Sequence, residues 1–343
     1  MSLCLSNGVI FIWCVAAWCC VLISVLFFFE NRDHFQVSIS KFTNGLVAKQ
    51  YQNTAAKTIL TPTTSSPKTV IITFTDITYL HACEIWIKRM KILGYIKSIK
   101  IYALDDEAFK KLKETNRISF RLPNNRTFQL SDHQIELVPD YSVHRPDQSW
   151  RWRPKTQKIW RTRIARTVFL LKNNYNVFLT DVDSLWNRYV DLEKLPGEFD
   201  SFHALAGGFP DSIFQKWGFT FCGGLGFYRS TPGNIMFWQE VLRRCGGKCD
   251  DQVVLNELYY DLGLKFFGVD DVNDESGLRF YKCGMVRTEN LDLKIIIVSE
   301  LDMLRGGTPK NCNTTWIMNP VTRKTGANKY QMFKTDFAEC DLT

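Results

Sequence analysis

The chain has 343 residues, 43 Lys and Arg against 35 Asp and Glu, and a formal charge of +8. A charged fraction of 23% with 14% aromatic residues excludes a disordered chain, and the length suffices for one large domain with a substantial core. The positive balance alone would suggest nucleic acid as a partner, but the distribution of residues argues against that.

Residues 1–7 form a short tail, and from Gly8 to Phe29 there is no Lys, Arg, Asp, Glu, His or Pro. As a helix this run rises about 33 Å, enough to cross a bilayer. A cleaved signal peptide and a buried core helix are the alternatives. No basic region precedes the run, and Phe27-Phe28-Phe29 stands where small cleavage-site residues would be. The expectation is a retained signal-anchor over 8–29, with a cytosolic tail and the folded mass in the secretory lumen. Seven cysteines lie outside the tail and the anchor, which suits an oxidising compartment, and Cys245 and Cys249 could close a tight loop. A zinc site competes weakly, because there is no CxxC pair and no His beyond His203. The sequons at Asn125 and Asn313 are N-glycosylation acceptors in a lumenal chain. Residues 30–67 lack periodicity and end in Thr61-Pro62-Thr63-Thr64-Ser65-Ser66-Pro67, which reads as a lumenal stem.

From Lys68 the pattern changes. Thr69–Thr75 reads as a strand, His81–Leu93 as a helix, Ser98–Leu104 as a strand and Asp105–Glu114 as a helix with acids in its first turn. A long helix follows over Lys155–Lys172, then a buried strand over Asn176–Thr180. Further strands are predicted at Phe202–Ala206, Leu225–Arg229, Lys265–Val269 and Lys294–Val298, with helices at Asn234–Arg244 and Gln252–Leu262. Alternating strands and helices predict one α/β domain over 68–343, built on a mostly parallel sheet flanked by helices.

The strongest chemical signal is Thr180-Asp181-Val182-Asp183-Ser184-Leu185-Trp186. Two carboxylates follow a buried strand at i and i+2, where ligands gather in open α/β sheets. Together they repel and resist burial unless a cation holds them. Oxygen ligands suit Mn²⁺ or Mg²⁺, whose remaining positions are commonly filled by substrate phosphate. A solvated turn is the bland alternative. A phosphatase of the aspartyl-phosphate type is another, but it expects this motif on the first strand, with Thr or Val where Leu185 stands.

Beyond this motif, the chain resembles the nucleotide-diphospho-sugar transferase family, glycosyltransferase family 77-like. The segments that carry the likeness are IITFTDITYLHACEIW, SIKIYALDDEAFKKLKE, RIARTVFLLKNNYNVFLTDVDSLW, FCGGLGFYRST and DDQVVLNEL. The resemblance implies a GT-A type, Rossmann-like fold and transfer of a sugar from a nucleotide-diphospho-sugar, a UDP-sugar in the first instance, with retention of configuration. The acceptor would be a glycan or glycoprotein, and the anchor would make the chain a single-pass type II Golgi membrane protein. The metal would sit on Asp183 and Asp181. Arg163 falls where the family's helix carries a basic residue for the sugar nucleotide, and Lys158, Arg161, Thr75 and Asp105 are further candidates for that contact. Asp251 and Gln252 match the family's Asp-Gln element, as catalytic candidates holding the donor sugar or facing its anomeric carbon, with Asn256 at the matching spacing. Gly223 and Gly224 suggest close backbone approach of sugar or acceptor, against a plain bulge.

The chain departs from the family in one place. Such enzymes commonly place a His near the C-terminus as a further metal ligand, and here the stretch offers Met318-Asn319. Either the metal uses Asp183, with Asp181 through water, and the diphosphate alone, or Asn319 contributes, or the metal site is weakened or lost, which keeps open a non-catalytic, membrane-tethered glycan-binding protein on the same scaffold. Eight basic residues between Arg145 and Arg166, with Trp150, Trp152 and Trp160 among them, suit an anionic diphosphate in the lumen rather than nucleic acid.

Overall fold

The structure, a computed structural model, describes residues 66–122, 124–138, 154–246, 249–270, 272, 274–305 and 315–319. The predicted tail, the anchor, the stem up to residue 65 and the Asn313 sequon lie outside the described residues. Among the described residues no helix is long and apolar enough to cross a membrane.

The chain enters through β1 (Lys68–Thr75), α1 (Leu80–Ile92) and β2 (Ile99–Ala103), then α2 (Asp106–Ile118). A short pair, β3 (Phe120–Arg121) and β4 (Thr127–Phe128), leads to β5 (Ile135–Leu137). The long helix α3 (Pro154–Lys172) runs into β6 (Tyr175–Thr180) and β7 (Leu185–Trp186). Next come β8 (Ser201–Ala206), α4 (Asp211–Trp217), β9 (Thr220–Tyr228), α5 (Pro232–Arg244) and α6 (Asp251–Asp261). The described elements end with β10 (Lys265–Phe267), β11 (Phe280–Arg287), β12 (Asp292–Val298), β13 (Met303–Arg305) and β14 (Ile317–Asn319).

Nine strands form one sheet in the order β10-β11-β12-β8-β9-β6-β1-β2-β5. The expected mostly parallel sheet is corrected here to a mixed one. Strands β5, β2, β1 and β6 are parallel, but β9 lies antiparallel between β6 and β8, and β10, β11 and β12 pair antiparallel. The physical reason is local: β11 and β12 are separated by a four-residue turn, which only an antiparallel pair can close.

Strand alternation sorts the apolar residues onto two faces. Ile71, Phe178 and Phe227 pack with Trp86, Ile87 and Met90 of α1. Ile72, Val177 and Leu179 pack with Ile164, Val168 and Leu171 of α3 and with Phe237 and Leu255 behind them. Each such fully buried side chain contributes about 1.5–3 kcal/mol. Burial on both faces explains why β6, β8 and β9 are almost continuously buried.

A second sheet, β13-β14-β7, joins the last described strands to the segment just after β6. It rests on a cluster in which Trp186 and Trp316 meet edge to face at 5.6 Å between ring centres, each also against Phe178. Trp316 and Tyr259 are core residues, whereas Tyr260 is exposed beside Lys216 and Trp217.

Candidate active site

The order β2-β1-β6 places a switch of direction between β1 and β6, and crevices outside the carboxyl ends of such strands bind ligands in this class of sheet. Asp181 follows the last residue of β6, and the turn is closed by Ser184 N donating to the Asp181 carbonyl at 3.0 Å. Asp183 is buried in the same turn.

Arg163, from the middle of α3, is the hub. Its Nη1 lies 3.2 Å from Asp181 Oδ1 and its Nε 3.3 Å from Asp251 Oδ2. Arg163 and Asp251 are shut away, with side chains 8% and 7% exposed, while Asp181 remains 29% exposed toward the cleft. Burial alone would weaken the Arg163 charge, but Asp251 and Asp181 outweigh it and hold its pKa above the usual guanidinium range. Burial pushes the Asp251 carboxyl up to about 6 against the pull of Arg163, with Asp250 and Asp181 adding to the rise.

The start of α6 is fixed from several sides. Asp250 caps the helix by accepting from Val253 N at 3.2 Å. Cys245 and Cys249 are disulfide-bonded, with Cα atoms 4.7 Å apart. Gln157 of α3 grips the Cys249 backbone from both sides, each bond at 2.7 Å. Gln252 Nε2 donates to the Phe209 carbonyl at 2.6 Å, and Gln252 Oε1 accepts from Arg305 Nη1 at 2.6 Å.

The glycines of β9 admit a close crossing of side chains. A Cβ on Gly224 would overlap the Asp181 carboxylate and the Arg163 guanidinium, and a Cβ on Gly223 would lie 2.9 Å from the Gln252 backbone. Gly223 and Gly224 let α3, α6 and the β6 turn close on β9.

Other predicted residues serve the frame. Asn256 is fully buried and spends its amide on Phe221 N, Phe221 O and Gln252 O at 2.7–2.9 Å, which fixes α6 against β9. Asp105 caps α2 by accepting from Ala108 N at 2.7 Å and ties in Ile77 N at 3.0 Å, joining the ends of β1 and β2. Thr75, buried at the end of β1, donates to the Asp76 carbonyl at 3.3 Å. Lys158 Nζ donates to Leu104 O at 2.5 Å and Arg161 Nη2 to Gly246 O at 2.6 Å, while Arg163 reaches the Asp181 and Asp251 carboxylates. The Asn125 sequon lies on an exposed turn between β3 and β4, its Oδ1 accepting from Arg121. Cys83, Cys222 and Cys283 are buried free thiols.

Two residues complete the cleft from the second sheet. Asn319 Nδ2 donates to Asp181 Oδ2 at 2.9 Å, so the residue that stands for the family's His does touch the paired carboxylates. Arg305 had no signal in the sequence, because a lone basic residue ending a three-residue strand has no periodicity to mark it. Among the described residues no group of three or more His, Cys, Asp or Glu is placed to hold a metal ion.

These features define a Rossmann-like α/β protein with an acidic, arginine-bridged cleft at the switch point of its sheet. Residues 95–269, just over half of the chain, match the family profile described as nucleotide-diphospho-sugar transferase. The chain belongs to that family, which makes it a glycosyltransferase. Among solved structures it is similar to the galactosyltransferase LgtC in complex with donor and acceptor sugar analogs. That likeness has 10% identity and a TM-score of 0.40, over 79% of this chain and 99% of that one. It is also similar to the apo-form glycosyltransferase GlyE of Streptococcus pneumoniae TIGR4, with 12% identity and a TM-score of 0.39, over 80% of this chain and 62% of that one. No curated protein sequence matches the chain.

Proposed function

We propose that the protein is a metal-dependent glycosyltransferase of GT-A type that moves a sugar from a nucleotide-diphospho-sugar, a UDP-sugar in the first instance, to a glycan or glycoprotein, with retention. The observation that carries this reading is the bridge Asp181–Arg163–Asp251, which ties the paired-carboxylate turn to the Asp-Gln helix start. The two segments that resemble the family most specifically thus meet in one cleft.

Asp181 and Asp183 would hold Mn²⁺ or Mg²⁺ through carboxylate oxygens, with Asn319 a further candidate and substrate oxygens and water completing the shell. When bound, such a cation supplies charge stabilisation to the departing diphosphate. Asn319 and Arg163 hold the Asp181 carboxylate in place from opposite oxygens. Asp251 and Gln252 would hold the donor sugar, and the buried position of Asp251 keeps water from that side. The apolar run at 8–29 supports a type II signal-anchor and the sequon at Asn125 a lumenal domain, and both favour a Golgi location.

The test is a panel of UDP- and GDP-sugars with Mn²⁺, applied to the wild-type chain and to Asp183→Asn. Donor turnover by the wild type, abolished in a variant that still folds, supports the reading. Unchanged turnover in the variant refutes the metal site, and metal-independent glycan binding without turnover supports the glycan-binding alternative.

A further inference from the structure

Strands β13 and β14 pair in parallel with Arg305 opposite Asn319. Residues in register stand on one face of a sheet, so the second sheet delivers both side chains to the same cleft. Asn319 reaches Asp181, and Arg305 reaches the far end, at Gln252.

The Gln252 amide is held at both ends. Its Oε1 accepts from Arg305 Nη1 at 2.6 Å, with Gly223 N approaching at 3.4 Å, and its Nε2 donates to Phe209 O at 2.6 Å. The same Nη1 donates to Cys222 Sγ at 2.9 Å. Burial pushes the Cys222 thiol up, so the sulfur stays a neutral acceptor and does not compete as an anion for the guanidinium. The strand that carries Arg305 is itself fixed. Asp302, immediately before β13, accepts from both Arg279 and Arg188, and its carbonyl receives Trp316 N and Ile317 N at 2.9 Å.

We propose that Arg305 is a positioning residue for the transfer reaction. It sets which end of the Gln252 amide faces the donor and holds it there through a charge-assisted bond, which is shorter and stronger than a neutral one. Without it the carbonyl oxygen loses its cation and keeps only Gly223 N at 3.4 Å, so the amide hangs mainly on the Nε2 bond to Phe209 O and can shift. This rests on the reading of Gln252 as a donor-facing residue.

The test uses the full chain with the sugar-nucleotide panel and Mn²⁺. Arg305→Met is expected to lower kcat, read at saturating donor and Mn²⁺, by about 10–100-fold, the cost of a misplaced group. Arg305→Lys, which still donates to Oε1 but from a single point, recovers part of the loss. In a Gln252→Ala background Arg305→Met costs nothing further, and a crystal structure of Arg305→Met shows the Gln252 amide turned from its present bonds. Arg305→Gln, which keeps a donor, carries the test if the Met variant does not fold. An equal kcat loss in the Gln252→Ala background, or a Gln252 amide unmoved in the variant structure, overturns the proposal. A wild-type chain that turns over no donor overturns the glycosyl-transfer reading instead, and the crystallographic comparison still decides whether Arg305 holds Gln252.

Discussion

Arg163→Met probes the bridge directly, because it removes the cation between two carboxylates while keeping much of the side-chain volume. Breaking a buried pair from one side commonly costs about 3–5 kcal/mol, but here the cost is limited by protonation. Asp251 already titrates at about 6 against an ordinary value of 3.8. Once Arg163 is gone its carboxyl holds its proton at neutral pH. At pH 7 the wild type already bears a cost for keeping the Asp251 carboxyl buried, and the variant bears more, by on the order of 1 kcal/mol. At pH 5 the folded wild type also carries the proton, and the difference vanishes. The sign follows from a raised acid pKa: the folded state binds more protons than the unfolded one between 3.8 and about 6, so stability falls as pH rises through that window.

Urea unfolding of both proteins at pH 7 and pH 5, followed by tryptophan fluorescence, measures this. Repeating the pair in an Asp251→Asn background should abolish the pH dependence of the Arg163→Met effect. A deficit that is equal at the two pH values, or that keeps its pH dependence in the Asn background, refutes the electrostatic account of the bridge.

Asn319→His restores the residue type that the family resemblance expects beside Asp181, and it should lower the Mn²⁺ concentration for half-maximal donor turnover; an unchanged requirement removes Asn319 from the metal's neighbourhood. His203 is fully buried, bonded at 2.9 Å to the Tyr259 hydroxyl, and burial lowers its pKa to about 3. The unfolded chain binds a proton there below about 6.5 and the folded chain does not, so stability is lost as pH falls, by about 2 kcal/mol at pH 5. His203→Gln should flatten that acid-side loss in urea titrations, and an unaltered slope would show that His203 ionises in place.

How much could be read beforehand depended on whether local pattern or distant convergence made each feature. Strands β1, β2, β6 and β8 are predominantly apolar or β-branched, and the predicted boundaries fall within two residues of the observed ones. Only the second half of β9 was legible, because the glycines that break its pattern are what the crossing of Arg163 requires. β11 was missed because buried and part-exposed residues follow no clean alternation along it. β7, β13 and β14 are two or three residues long, too short to show any period.

The same division runs through the site. Asp181, Asp183, Asp251 and Gln252 sit in motifs, so their types and spacing announce them. Arg305 and Asn319 acquire their partners only when a small sheet folds across the cleft, over separations of 53 and 138 residues. The charges explain why that convergence is needed. Three carboxylates and the Arg163 cation alone would leave two negative charges facing an anionic diphosphate, and Arg305 reduces the excess to one. A divalent cation of the kind proposed would reverse the sign and make the cleft attractive to the donor. Donor affinity should therefore depend on metal more steeply in Arg305→Met than in the wild type. The kcat loss assigned to Gln252 has no such dependence, so titrating Mn²⁺ at fixed donor separates the electrostatic contribution of Arg305 from its positioning one.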